Sequence, residues 1–226
     1  MKKLYILLLA GASFFSCSKD DSPQVEAKGM LVLKTSATSD VILKEAISTG
    51  NFNVTIKNNA TNAEAYNNTV SSITNPLNLP AGTYTVTVKS ENFTTPAFNK
   101  PVYVAAKSDV SITWGATTDL SLICKQANAG VKVVYATAFT DYCTTKGYDF
   151  GATVSDGTNN LDYGKKSTSL TTNTGYFMPG NLTVKITMNG VDYTKAITVA
   201  AQELVTVNVN VNTGSSAPRL AVSVAK

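Results

Sequence analysis

Alternation at period two runs through this chain and, more than any other feature, restricts it to β structure. Tyr84, Val86 and Val88 alternate with Thr83, Thr85 and Thr87. Leu182, Val184, Ile186 and Met188 alternate with Thr183, Lys185 and Thr187. Val205, Val207, Val209 and Val211 alternate with Thr206, Asn208 and Asn210, and Val110, Ile112 and Trp114 with Ser111 and Thr113. Successive strand side chains point to opposite faces, so each run predicts one buried and one wet face. On that phase Tyr84 and Trp114 belong to the core. Pro80-Ala81-Gly82, Asp156-Gly157 and Pro179-Gly180 supply turns between strands. No long helical stripe is present. Val41 to Ser48 and Phe139 to Lys146 each predict one or two helical turns.

The chain also contains itself twice. Gly29-Met30-Leu31-Val32-Leu33-Lys34-Thr35 returns as Gly130-Val131-Lys132-Val133-Val134-Tyr135-Ala136, and Phe52 to Ile56 as Phe150 to Val154. Leu79 to Val86 returns as Met178 to Val184, Val104 to Ile112 as Val199 to Val207, and Asp119 to Cys124 as Arg219 to Val224. The order is kept, at offsets of 95 to 101 residues. Five blocks in register predict two copies of one domain, 29–125 and 130–226, joined by the short connection 126–129. The repeat makes Leu220 to Ala225 the last strand of the second copy, in the place of Leu120 to Cys124. The expected fold is all-β: two tandem Ig-like or transthyretin-like β-sandwiches.

The N-terminus reads as an address. Lys2 and Lys3 precede an apolar run, Leu4 to Phe15, that is short for a membrane span of ~20 residues. Small residues and Cys17 follow, and the chain turns polar at once. This is the order of a secretory signal peptide, here 1–16. Phe14-Phe15-Ser16-Cys17 resembles a bacterial lipobox, whose cysteine is acylated and becomes the mature N-terminus. Ser18, Lys19, Asp20 and Asp21 resemble the export tag that sends Bacteroidota lipoproteins to the outer face of the outer membrane. Residues 17–28 are then a lipid-anchored linker.

Composition narrows the chemistry. Histidine is absent and Arg219 is the sole arginine, so the commonest general base and an Arg-fork anion site are both missing. The net charge of +4 falls to +2 without Lys2 and Lys3, too little for a nucleic-acid footprint. Serines and threonines have no histidine to activate them, and the carboxylates are scattered, so no catalytic residues and no cofactor are expected. Cys124 and Cys143 could close a disulfide in an oxidising compartment. Their positions in the repeat favour two buried free thiols instead. Asp156-Gly157-Thr158-Asn159-Asn160-Leu161-Asp162 offers oxygen ligands to calcium without EF-hand spacing, and a hairpin turn explains it more simply. Tyr66, Tyr148, Tyr163 and Tyr176 fall in expected loops and are the candidate ligand-facing aromatics.

Leu79-Pro80-Ala81-Gly82-Thr83-Tyr84-Thr85-Val86, then Phe98-Asn99-Lys100-Pro101-Val102-Tyr103, then Cys124 ahead of Val131-Lys132-Val133, resemble DUF4493, an uncharacterised domain of Bacteroidota lipoproteins. The likeness runs from about Gly29 to the C-terminus. In the second copy Gly180-Asn181-Leu182 replaces the Gly-Thr-Tyr pattern. The resemblance implies a cell-envelope protein and supplies no catalytic residues. The expected role is structural, adhesive or envelope-assembling. The alternative is a glycan-binding lipoprotein of a polysaccharide-capture system. Expected partners are outer-membrane lipid through acylated Cys17, and a protein or glycan at the cell surface.

Overall fold

The computed structural model describes residues 27–38, 47–212 and 219–226. The first half holds β1 (Lys28–Thr38), β2 (Asn53–Asn58), β3 (Glu64–Thr69), β4 (Leu77–Pro80), β5 (Gly82–Lys89), β6 (Ala97–Phe98), β7 (Tyr103–Ile112) and β8 (Thr117–Gln126). Seven of these make one sheet in the order β3-β2-β5-β7-β8-β1-β4. Its two ends share one core: Leu31 and Leu33 from β1 meet Val54 and Ile56 from β2, and Tyr84, Val86 and Val88 from β5. The sheet therefore curls into two layers, with alternate residues of each strand inside. β1 and β8 run parallel; the other pairs of this sheet are antiparallel.

The second half holds β9 (Ala129–Tyr135), α1 (Thr137–Lys146), β10 (Phe150–Ser155), β11 (Asn160–Lys165), β12 (Ser169–Leu170), β13 (Gly175–Phe177), β14 (Gly180–Met188), β15 (Val191–Val199), β16 (Leu204–Asn212) and β17 (Arg219–Ala225). Two sheets, β12-β11-β10-β14-β15 and β17-β16-β9-β13-β6, pack across one core of Val131, Val154, Val184, Ile186, Val205 and Val207, among others. The period-two reading of both halves matches the observed burial, Trp114 excepted. α1 covers the predicted Phe139 to Lys146 and buries Phe139 and Cys143, one turn apart on one face. Gly147 ends it at φ 69°, a left-handed cap whose N–H closes onto the last carbonyls. Most of the other predicted helical stretch, 41–46, lies outside the described residues.

Strand pairing corrects the repeat. Phe52 still matches Phe150, and Tyr84 still matches Leu182, at an offset of 98. The first block slips by one residue, because Leu31 and Leu33 share their buried phase with Val131 and Val133. The fourth block slips by most of a strand and the fifth by more than one. Gly82 pairs with Ile112 and Gly180 with Val199, so β15 is the counterpart of β7. β16 runs parallel to β9 as β8 runs parallel to β1. β17 therefore does not take the place of Leu120 to Cys124; it is an added edge strand beside β16. Leu220, Val222 and Val224 still pack, half-buried, on the second core.

The halves interlock. β6 leaves the first sheet and pairs with β13 in the second, with Phe98 edge-on to Tyr163 at 5.0 Å. At the connection, Gln126 and Asn128 are buried. The Val102 N–H donates to Asn128 Oδ1 at 3.1 Å, and Asn128 Nδ2 donates to the Lys100 carbonyl at 2.9 Å. Gln126 Nε2 donates to the Asn128 carbonyl at 2.8 Å. Buried amides that meet backbone partners this fully brace the joint rather than loosen it.

Trp114 departs from expectation. It is 71% exposed, because β7 stops at Ile112 and a turn through Gly115, at φ 68°, carries the indole out of strand phase.

Candidate functional site

In the first half, β1 outruns its neighbour β4, and their ladder ends at Leu31 with Leu77. The next backbone groups facing that side belong to Leu33. The Leu33 N–H donates to Asn75 Oδ1 at 3.1 Å, and Asn75 Nδ2 donates back to the Leu33 carbonyl at 3.1 Å. One side-chain amide thus stands in for a missing strand residue.

The second half lacks that closure. β9 pairs with β13 only from Ala129 to Val131. By register Val133 sits where Leu33 sits, and Asn173 where Asn75 sits. There the Asn173 backbone N–H donates to Thr171 Oγ1 at 3.1 Å, and among the described residues no Asn173 side-chain bond to Val133 is formed. Among the described residues, nothing pairs with β9 beyond Val131 on this side. A slot of about 440 Å³ remains, walled by Lys132, Val133, Val134 and Tyr135 on one side and Leu170, Thr171 and Thr172 on the other. Val134 is 44% exposed beside it.

Tyr135 also lines this slot. Its ring packs on Phe139 and Phe150 at 5.8 and 4.8 Å. Its hydroxyl is buried with no hydrogen-bond partner among the described residues. Burial, and secondarily the charge of Asp162, push the phenol well above the usual tyrosine range, so it stays a neutral donor. A buried unpaired hydroxyl costs free energy. Unpaired strand-edge groups beside an apolar wall are elements by which a sheet takes up an extended segment.

A second concavity lies on the outer face of β2, β3 and β5. It encloses about 560 Å³ and is lined by Asn53, Thr55, Lys57, Glu64, Asn67 and Thr85, among others. Its side chains bond to one another: Asn53 Nδ2 to Asn67 Oδ1 at 3.1 Å, Asn67 Nδ2 to Glu64 Oε2 at 3.0 Å, and Lys57 to Glu64 at 3.6 Å. Thr153, Ser155, Asn160, Thr183 and Lys185 line a smaller one on the matching face of the second half.

The four candidate tyrosines do not converge. Tyr163 and Tyr176 are buried, which overturns their reading as exposed loop residues: both lie on strands, β11 and β13. The Tyr163 hydroxyl donates to the Val131 carbonyl at 2.8 Å, tying β11 across the core to β9. Tyr66, on β3, is half-buried against the first core. Tyr148 is half-buried and edge-on to Tyr142 at 6.1 Å. Cys124 and Cys143 are free and fully buried, and burial pushes both thiols up. Asp156 Oδ1 accepts from the N–H groups of Thr158 and Asn159 at 2.8 and 2.6 Å, as a turn-closing carboxylate does. Cys17, Ser18, Lys19, Asp20 and Asp21 lie outside the described residues. The slot was missed in sequence; its trace there is the pair Asn75 and Asn173, one in each copy.

The family model described as a domain of unknown function, DUF4493, matches residues 26–224. No curated protein matches the sequence. Among solved structures, a protein described as polysaccharide-binding (DUF1812) from Bacteroides thetaiotaomicron is similar at a TM-score of 0.53 and 7% identity, over 88% of this chain and 98% of that one. The tip fimbrial protein Mfa3 from Porphyromonas gingivalis, with C-terminal truncation, is similar at 0.51 and 8% identity, over 87% and 99%. Both likenesses are of fold.

Proposed function

The chain belongs to the DUF4493 family, and from that footing we propose that it is a lipid-anchored cell-surface protein with a structural or adhesive part in envelope assembly and no catalytic activity. Its parts are a signal peptide over 1–16, an anchored linker over 17–28, and two β-sandwich domains over 29–125 and 130–226. The unpaired edge of β9 beyond Val131 carries this reading, because an extended segment would find strand-edge groups there, while the counterpart on β1 is shut by Asn75. The fimbrial name of one fold relative agrees with it.

A second reading has its own observation. The amide- and hydroxyl-lined concavity on β2, β3 and β5 presents the groups that hydrogen-bond to a polyhydroxylated glycan. It has no aromatic platform in its lining, and its side chains already bond one another, so it ranks second.

The test compares native mass after mild detergent extraction from cells. Wild-type protein should run in an assembly larger than its monomer. The double variant Val134→Lys, Leu170→Lys should run as a folded monomer. Wild-type monomer that binds polysaccharide, with binding lost in Asn53→Ala, Asn67→Ala, would replace the first reading with the second.

A further inference from the structure

We infer that the pole of the first half bearing Trp114 is the membrane-facing end of the molecule, and that Trp114 seats in the lipid–water interface. The inference rests on the proposal that Cys17 is acylated.

Trp114 is the chain's only tryptophan and the most exposed of its large apolar side chains among the described residues. Its turn is bonded to the residues where the N-terminal segment comes in. The Gly115 N–H donates to the Lys28 carbonyl at 2.9 Å, and the Met30 N–H to the Ala116 carbonyl at 2.9 Å. Ala81 donates to the Ala27 carbonyl at 2.7 Å. The indole therefore stands beside the point where the chain leaves for its anchor. Lys28 lies eleven positions after Cys17, a tether of at most roughly 40 Å when fully extended. The second half is attached at the other end of β8, at Gln126, and so lies away from this pole.

The pole is chemically suited to a headgroup layer. Its turns, 59–63, 80–81 and 113–116, hold no charged residue. Beside it, Asp109 accepts from Asn59 at 3.1 Å and Glu64 pairs with Lys57 at 3.6 Å. Asp119 lies two residues into β8. Docking the turns would thus strip water from no unengaged carboxylate within them. Tryptophan prefers the interface because its ring is apolar and its N–H needs a wet partner. An exposed tryptophan can equally anchor a protein or stack on a sugar; its place beside the tether is what favours lipid here.

A single tryptophan makes the test direct. The full-length lipid-bearing protein is reconstituted into phosphatidylethanolamine–phosphatidylglycerol vesicles, with and without brominated lipid chains. Co-flotation, a blue-shifted emission and quenching by the brominated chains would support the inference. Co-flotation with unshifted emission still open to iodide would overturn it and leave the anchor standing. Protein that does not float would overturn both. Emission moved by oligosaccharide in vesicle-free buffer, and not by vesicles, would assign Trp114 to sugar stacking instead and overturn the inference.

Discussion

The side-chain amide of Asn75 completes the strand ladder beside Leu33, receiving one hydrogen bond and giving one, each of 3.1 Å. Asn75→Ala would leave both Leu33 backbone groups without a partner on that side. Unpaired buried groups cost about 1–3 kcal/mol. The first half should lose stability of that order, and the Leu33 amide should exchange faster with solvent. Unchanged exchange at Leu33 would mean that water or a neighbour replaces the amide without cost.

Phe98 belongs by sequence to the first half and by pairing to the second, through the Tyr163 ring at 5.0 Å and the β6–β13 ladder. Aromatic pairs add ~0.5–1.5 kcal/mol beyond the area they bury. Phe98→Ala should therefore lower the stability of the second half and not the first. The isolated segment 129–226 should melt below the same half in the intact chain. Equal melting would show the halves to be energetically independent.

Removing β17 tests its corrected place. Leu220, Val222 and Val224 are half-buried on the second core, so each contributes less than the ~1.5–3 kcal/mol of a fully buried aliphatic side chain. A chain ending at Asn212 should keep both halves folded while the second melts earlier and the edge of β16 lies open. Complete unfolding of the second half would restore the reading of β17 as an integral core strand.

Glu203 closes the turn between β15 and β16. It accepts from the Ala200 N–H at 2.9 Å and pairs with Lys226, just past β17, at 3.0 Å. The Ala200 bond first, and Lys226 second, hold its carboxyl below the usual glutamate range. A lowered folded pKa gives stability that is present above the unfolded value, about 4.3, and lost as pH falls through the folded one. Wild type should lose more thermal stability than Glu203→Gln between neutral pH and pH ~3. Parallel curves would place the acid sensitivity elsewhere.

The strands were legible in sequence because Val86, Val184 and Val207 each sit in an uninterrupted alternation with threonine, asparagine or lysine, and their burial follows it. Trp114 shows where that signal stops: the alternation continues through Thr113, but the backbone has already turned. Tyr163 was hidden by its neighbours, since Asp162 and Gly164 look like turn residues while β11 points the ring inward. The run Val-Ala-Ala occurs in both halves and misled the alignment: in one it lies inside β7, in the other it ends β15 and begins a turn. The slot left almost no trace, because strand-edge closure depends on where one asparagine points. Asn75 and Asn173 are the same residue at the same register, but among the described residues only Asn75 bonds the neighbouring strand through its side chain.

The claim that the open β9 edge receives a protein segment is tested most directly by a photo-crosslinking residue at Val134, activated on intact cells. The account predicts an adduct to an envelope protein, mapped by mass spectrometry to an extended stretch of that partner, and lost when Leu170 is changed to Lys. Labelling of solvent or polysaccharide alone at Val134, with the same probe forming protein adducts at an unrelated surface position, would contradict it.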